Sequence, residues 1–330
     1  MNSKITIWSA TLLLLATVSL AQAQLPEQIR RIGFLSTFSA SHSGSTRWHE
    51  AFRQGLHEHG WVVGKNISIE NRWVAGKRER IPELAAELLG LDVEVIVVHG
   101  GRPARVVQRM NKEIPIVMAE ASDAVGRGIV KSLARPGGNI TGLTSINVEL
   151  FAKRLELLKA IVPTLSRVAV IWTPKSPASK HAWIETQLPA RQLGLELHSM
   201  ELRRSDELEK AFEDAARCGV GALVGTPGVL STFNQKRISD LAVRSRLPTI
   251  YSGSDWVTDA GGLMSYATNY EDLYRRAATY VDKILNGANP ADLPVEQPIA
   301  FELVINPKTA KQIGLTIPPN VLARANEVIR

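Results

Sequence analysis

The stretch Arg31-Ile-Gly-Phe-Leu-Ser-Thr-Phe-Ser-Ala-Ser41 consists of an apolar run followed by a hydroxyl-rich loop, and it indicates the architecture of the chain. The run has the length and composition of a buried strand. Apolar residues then recur at the spacing of one helix face, at Trp48, Ala51, Phe52, Gly55 and Leu56. A buried strand followed by an amphipathic helix is the repeating unit of a parallel sheet wrapped by helices.

The same unit recurs along the chain. Further strands are predicted at residues 67–73, 94–98, 115–118, 167–172, 195–200, 221–224, 248–251, 262–266 and 299–305. Three predicted helices end at Gly60, Gly90 and Gly219, which suit the left-handed position after a helix. Another helix begins at Asn269, and its side chain is expected to cap that helix rather than to contact a ligand.

This alternation of strands and helices predicts an α/β fold class with two Rossmann-like lobes, whose parallel sheets are flanked by helices. A turn-rich stretch, residues 135–142, marks the end of the first lobe. We expect residues 24–143 plus about 269–298 to form lobe 1, and residues 144–268 plus about 299–330 to form lobe 2. Several crossings between the lobes would make a hinge.

Composition excludes several classes of protein. The 330 residues are 45% hydrophobic and 22% charged, which excludes a disordered chain and a collagen-like fibre. The net charge of +7 raises the possibility of nucleic-acid binding. The basic residues are dispersed, however, and no zinc-finger spacing or aromatic-basic motif accompanies them. We therefore expect no nucleic-acid partner.

The N-terminus has the pattern of a cleaved secretory signal at residues 1–23. Lys4 precedes an apolar stretch at residues 5–20, and Ala21-Gln22-Ala23 provides small residues at the cleavage site. The mature protein is therefore expected in the periplasm, soluble and monomeric. The single cysteine, Cys218, cannot form an intrachain disulfide and is predicted to be an apolar filler near a helix end.

No catalytic or metal motif is found in the sequence. It has no G-x-S-x-G, H-E-x-x-H or C-x-x-C pattern. The segment Gly60–Lys65 has the wrong spacing for a phosphate loop, and Gly126-Arg-Gly128 lacks the third glycine of a dinucleotide fingerprint. The seven histidines are scattered. We expect no catalytic residue, no metal site and no cofactor.

Polar loops at the carboxyl ends of the strands are the candidate binding site, since open α/β sheets place ligands there. The candidate ligand-binding residues are Ser36, Ser39, Gly101, Arg102, Asp123, Ser145, Pro174, Thr226, Pro227, Ser254, Asp255 and Tyr266. Arg102 is a candidate partner for a carboxylate and Asp123 for an ammonium group. The alternatives are a solvated helix residue for Arg102 and an ordinary helix cap for Asp123.

Several longer motifs, taken together, resemble the solute-binding components of ABC transporters, in the group that includes tryptophan-binding proteins. The motifs are Arg31-Ile-Gly-Phe-Leu-Ser36, Gly64-Lys-Asn-Ile67 with Glu70 and Trp73, Pro82-Glu-Leu-Ala-Ala-Glu-Leu88, Leu133-Ala-Arg-Pro-Gly-Gly-Asn-Ile-Thr-Gly-Leu143, Arg167-Val-Ala-Val170, Gly261-Gly-Leu-Met-Ser-Tyr266, Tyr280-Val-Asp-Lys-Ile-Leu285, Leu293-Pro-Val-Glu-Gln-Pro298, Phe301-Glu-Leu-Val-Ile-Asn306 and Gly314-Leu-Thr-Ile-Pro-Pro319. They run along essentially the whole mature chain.

The resemblance implies a type I periplasmic binding protein, with two lobes joined by three crossings that close on a small solute and deliver it to a permease. The chain departs from the family at Arg102, where a threonine or small residue is common. It departs again at Ser122-Asp-Ala-Val125, where the family often has G-D-P-V. Because of these departures, the ligands of the family do not transfer directly to this chain. Arg102 and the hydroxyl loops favour a carboxylate-bearing solute, an amino acid or an aromatic acid.

Two other functions stay open at the level of sequence. One is an exported two-lobed enzyme, whose acid/base pair would be Asp123 and Asp255. The other is a ligand-sensing partner of a receptor, with the same cleft and a different docking surface.

Overall fold

The computed structural model describes residues 29–146, 150–228 and 234–329. The predicted signal peptide lies outside the described residues. Within these ranges, no helix has the length and apolar character needed to cross a membrane.

The first sheet has five strands in the order β2-β1-β3-β4-β5, and all its pairs are parallel. Its strands are β1 (Arg30–Ser36), β2 (Ile67–Trp73), β3 (Val95–His99), β4 (Ile116–Glu120) and β5 (Ile140–Gly142). The helices between them are α1 (Ser43–Glu58), α2 (Ile81–Leu89) and α3 (Gly101–Met110), with a 3-10 turn at Arg78–Arg80. Strands β3 and β4 are buried along their whole length, because helices cover both faces of the sheet.

The second sheet has seven strands in the order β12-β11-β10-β9-β8-β6-β7. Its strands are β6 (Arg167–Trp172), β7 (Glu196–Glu201), β8 (Ala222–Gly225), β9 (Thr249–Tyr251), β10 (Met264–Thr268), β11 (Phe301–Ile305) and β12 (Glu327–Val328). The helices of this half are α4 (Phe151–Ile161), α5 (Pro177–Gln192), α6 (Leu208–Arg217), α7 (Gln235–Arg244) and α8 (Asp255–Thr258). After them come α9 (Tyr270–Leu285), α10 (Pro307–Gln312) and α11 (Pro319–Leu322), with 3-10 turns at Ser205–Glu207 and Pro290–Asp292.

Helix α9 follows β10 of the second sheet but packs against the first one. Its buried stripe shares a core with α1, β1 and β3. The chain then returns and enters the second sheet as β11, which pairs antiparallel with β10. The antiparallel pair arises because the chain re-enters next to Thr268, where β10 ends. This strand is a departure from the predicted all-parallel sheet.

Three chain segments therefore cross between the sheets, and they are hydrogen-bonded to one another. The amide of Thr144, on the first crossing, donates to the carbonyl of Glu296 on the third at 2.9 Å. The amide of Asn269, on the second crossing, donates to the carbonyl of Ala300 on the third at 3.0 Å. The crossings thus form one bundle of segments at one side of the molecule.

Four buried clusters form the core, one for each face of each sheet. Residues of α1 and α9 cover one face of the first sheet, and residues of α2 and α3 cover the other. In the second sheet, α4 and α5 pack on one face, and α6 and α7 on the other. The alternation of strand side chains between the two faces explains why Phe34 and Leu35 belong to different clusters.

The predicted α/β architecture is confirmed, and each of the ten predicted strands begins within two residues of its predicted position, whereas β5 and β12 were not predicted. The predicted cap is also confirmed, since Asn269 Oδ1 accepts from the amide of Asp272 at 2.9 Å. Gly219 is left-handed, with a φ of 65°, as predicted.

Three local expectations are wrong. Gly90 has a φ of −82°, so it is not left-handed, and Asp92 has the positive φ of that turn instead. The end of the turn-rich stretch forms β5, because Ile140–Gly142 pairs with β4. Cys218 is exposed, since it caps α6 away from the buried stripe of that helix.

Gly55, within α1, and Gly90, which follows the last residue of α2, give a matched test of this packing. A Cβ at Gly55 would lie 2.5 Å from the carbonyl oxygen of Arg275 in α9, whereas a Cβ at Gly90 would approach nothing closer than 3.6 Å. We expect Gly55→Ala to lower the free energy of unfolding by about 1–3 kcal/mol through overpacking. Gly90→Ala should instead leave it unchanged or raise it by up to about 1 kcal/mol. Urea denaturation of both variants measures this, and equal effects would contradict the close packing of α9 on α1.

Candidate ligand-binding site

A cavity of about 450 Å³ lies between the carboxyl ends of the two sheets. The first sheet and its helices contribute Thr37, Phe38, Ser39, His42, Trp48, His99, Glu120, Ser122 and Tyr270. The second sheet and its helices contribute Ala178, Pro227, Gly228, Gln235, Ser252, Gly253, Asp255 and Trp256. The loop after β2 closes one side with Val74, Ala75, Gly76 and Arg78. Both sheets therefore supply walls to one cavity.

A β-bulge places the two central polar groups of the first sheet opposite each other. Val98 pairs with Met118 in the regular register, but the next pair is His99 with Glu120. The register shift inserts one extra residue in β4 and re-aims the side chains at the ends of both strands. Glu120 and His99 are consequently buried residues that face the cavity.

The Glu120 carboxylate is held by two serine hydroxyls. Ser145 donates to Glu120 Oε1 at 2.7 Å, and Ser122 donates to the same oxygen at 2.9 Å. The second oxygen, Oε2, has His99 Nε2 at 3.8 Å, and no hydrogen-bond donor reaches it from the part of the chain that is described. Buried carboxylates are stable when their oxygens are hydrogen-bonded, so Oε2 is the point at which a ligand donor completes the group.

His99 is held as a neutral imidazole by its surroundings. Burial lowers the pKa of His99 below its ordinary value, and burial raises the pKa of Tyr274 well above its ordinary value. The Tyr274 hydroxyl lies 2.5 Å from His99 Nδ1, within hydrogen-bond distance, and holds the imidazole ring beside Glu120.

Aromatic rings form the wall around this polar centre. Phe38 stacks on His42 at 4.7 Å between ring centroids and meets Trp48 edge-on at 5.2 Å. Trp48 is parallel to His99 within 9°, and Tyr270 lies 4.9 Å from Trp48. Flat rings with electron-rich faces suit aromatic ligands and organic cations.

The opposite wall has a second buried carboxylate. Asp255, the first residue of α8, accepts a hydrogen bond from the Gln235 side chain at 2.6 Å. Burial raises the pKa of Asp255 above its ordinary value. Trp256 stacks on Tyr251 at 4.4 Å, which fixes the indole at the cavity wall.

Two contacts join the walls at the start of α1. His42 Nε2 lies 3.8 Å from Asp255 Oδ2, and the hydroxyl of the neighbouring Ser43 donates to the carboxylate of Asp259. His42 Nδ1 accepts from the amide of Ser45 and so caps α1. Its proton is therefore on Nε2, directed at Asp255.

Three of the residues predicted from sequence line the cavity, namely Ser39, Pro227 and Asp255. Ser145 lies one hydrogen bond behind the wall, at Glu120. Ser36 is buried at the end of β1, where its hydroxyl accepts from the amide of Phe38. The other candidates are not among the lining residues: Gly101, Arg102, Asp123, Pro174, Thr226, Ser254 and Tyr266.

The two charged candidates lie outside the cavity for local reasons. Arg102 is the second residue of α3, which starts after Gly100 with a φ of 97°, and its side chain is exposed. Asp123 has a φ of 51° and is exposed, with its Oδ1 accepting from the amide of Gly126 at 2.9 Å. Thr226 is buried, with its hydroxyl bonded to Ser179 and to the carbonyl of Ile171.

The cavity-lining groups that the sequence did not indicate are the aromatic wall and Glu120. Glu120 is the last residue of β4, three residues before Asp123, the acid predicted from the sequence. Regular alternation places Glu120 on the face of Met118, but the β-bulge between them shifts the register, so no signal within β4 alone identifies Glu120. Across the described ranges, no group of three or more His, Cys, Asp or Glu side chains has the arrangement of a metal site.

Comparison with known proteins agrees with this geometry. Residues 36–329 match the family model described as ABC transporter substrate binding protein. A tyrosine-binding protein of Clostridioides difficile (strain R20291) is 25% identical over 282 residues, which are 83% of this chain and 78% of the relative.

Two solved structures share the fold. The ABC domain of Streptococcus pneumonia in complex with L-Trp superposes with a TM-score of 0.80 at 25% identity, covering 91% of this chain and 99% of that one. A conserved domain protein of Vibrio cholerae superposes with a TM-score of 0.82 at 24% identity, covering 92% and 100%. The family expected from the sequence motifs is confirmed: the chain belongs to the ABC transporter substrate-binding proteins and has the type I periplasmic binding protein fold.

Proposed function

We propose that this protein captures an aromatic amino acid between two lobes and delivers it to the permease of an ABC transporter. The observation that carries the proposal is one cavity with aromatic rings and a buried carboxylate on one wall, and a second carboxylate on the other. The family match and the tyrosine- and tryptophan-binding relatives support the same ligand class. The ligand carries the carboxylate expected from the sequence as part of the amino acid.

The lobes of this proposal are residues 24–143 with about 269–298, and residues 144–268 with about 299–330. The packing of α9 against α1 supports the first assignment, and the pairing of β11 with β10 supports the second. We place the mature monomer in the periplasm, after removal of residues 1–23.

Capture requires that the ligand favours the closed arrangement. A solute that contacts Glu120 and Asp255 together stabilises the state in which both walls face it, and a ligand shifts such an equilibrium only by its differential affinity. The three crossings are the hinge about which the lobes move. The closed state is the form that the permease recognises.

The enzyme hypothesis loses its acid/base pair. Asp123 is exposed and outside the cavity that Asp255 lines, which argues against the two carboxylates acting on one substrate. We propose binding without turnover. A receptor-sensing role uses the same cavity and differs only in the protein to which the closed form docks.

The first test is a calorimetric titration of the mature protein with the natural amino acids. We expect aromatic amino acids to bind in the micromolar range and aliphatic ones more weakly, because the cavity wall is aromatic. Chromatography of the bound ligand after prolonged incubation should recover it unchanged. Accumulation of a reaction product would contradict the proposal.

The second test removes one ring of the wall. Phe38→Ala should weaken binding of an aromatic amino acid by about tenfold or more, because a stacking surface is lost. Phe301→Ala is the matched control, since this half-buried ring stacks on Tyr266 outside the cavity lining. Equal losses in the two variants would show that the ligand does not contact Phe38.

The third test addresses closure. Asp259→Ala removes the acceptor of the Ser43 hydroxyl that joins the walls. We expect about two- to fivefold weaker binding, because an exposed contact of this kind contributes little, and a smaller degree of compaction by small-angle X-ray scattering with ligand. The control is Asp206→Ala, which removes an exposed acid paired with Arg204. Unchanged compaction in Asp259→Ala would argue against this contact as part of the closed state.

A further inference from the structure

The charges that line the cavity are mainly negative. Glu120 and Asp255 are both buried, at 5% and 8% exposure. Arg78 is the one lysine or arginine among the described lining residues, and it is exposed, in the 3-10 turn at the edge of the cavity. His99 is neutral because burial lowers its pKa. The buried walls of the cavity therefore favour a ligand whose charged group is a cation.

Glu120 has the geometry to hold that cation. Its Oε1 is occupied by the hydroxyls of Ser122 and Ser145, which fix the carboxylate in place. Its Oε2 faces His99 at 3.8 Å, which is too long for a hydrogen bond. A buried carboxylate with one oxygen still open gains a charge-assisted hydrogen bond from an ammonium group.

The aromatic rings beside His99 favour the same charge. Trp48 and Phe38 lie beside His99, with centroids 5.7 and 5.0 Å from the imidazole, and Tyr270 packs on Trp48. Aromatic faces attract cations and gain nothing from a carboxylate. A ligand carboxylate has Arg78 as its charged partner, and that guanidinium is solvated, so the pair is worth little.

We propose that the ligand is anchored by its amino group at Glu120, and that its carboxylate is dispensable, so that decarboxylated aromatic amines are ligands of the same site. This inference rests on the proposed function, because it specifies which charged group of an aromatic amino acid the cavity binds. The sequence, in contrast, favours a carboxylate as the main charged group of the ligand.

The test compares three ligands that differ in one charge at a time. They are L-tyrosine, tyramine and 3-(4-hydroxyphenyl)propionate, with the tryptophan series as a repeat, titrated by calorimetry into the mature wild-type protein. We expect the amine to bind within about tenfold of the amino acid, since the lost pair is exposed. The acid should bind about a hundredfold more weakly, since a buried carboxylate is left without its cation.

Variants of the protein assign the effect to Glu120. Glu120→Gln keeps the shape of the side chain and an acceptor for the serine hydroxyls, and it should weaken the amine about thirtyfold or more. Glu94→Gln is the matched control, because Glu94 directly precedes β3, at the amino end of that strand, whereas the cavity lies at the carboxyl ends. Arg78→Ala should cost the amino acid at most about fivefold, because its guanidinium is exposed. Thermal unfolding verifies that each variant is folded.

The outcomes separate the inference from the proposed function. Tight binding of the amino acid and of the acid, with no binding of the amine, overturns the inference and leaves aromatic amino-acid capture intact. Failure of all three ligands in both series overturns both. If Glu120→Gln does not fold, the wild-type ligand series still decides, because it requires no variant.

Discussion

The close packing of α9 on α1 is the interaction on which the rest of the architecture depends. The helix follows a strand of the second sheet, yet its apolar stripe is buried against the first, where Gly55 leaves no room for a methyl group. That packing accounts for the second and third crossings between the sheets, and the chain returns as the antiparallel strand β11. It also brings Tyr270 to the cavity and Tyr274 to His99, so the same helix joins the sheets and shapes the site.

A second constraint is the cost of a buried carboxylate. An uncompensated charge in a protein interior costs several kcal/mol, and proteins retain such groups when hydrogen bonds or a partner offset that cost. Two serine hydroxyls offset part of it at Glu120, and the Gln235 amide does so at Asp255. Each carboxylate is therefore stable without a ligand but has capacity left for one, which is the condition for reversible capture.

The parts of the fold that follow from local sequence could be predicted, and the parts set by tertiary register could not. Apolar runs predicted most of the strands, and Asn269 predicted the start of a helix, because both signals depend on residues close together in sequence. The β-bulge that pairs His99 with Glu120 depends on two strands meeting, and no single strand encodes it. For the same reason Arg102 and Asp123 were plausible choices: each lies next to the correct strand end, but the backbone turns both side chains to solvent.

The weakness of the contacts between the walls bears on how such a protein works. Ser43 and Asp259 are exposed, and the His42–Asp255 pair is separated by 3.8 Å, so neither contact holds the lobes together strongly. A closed state fastened by strong contacts would be populated without solute and would not report on it. In the proposed function, the free energy of closure therefore comes from the contacts that the bound molecule makes with the groups facing the cavity.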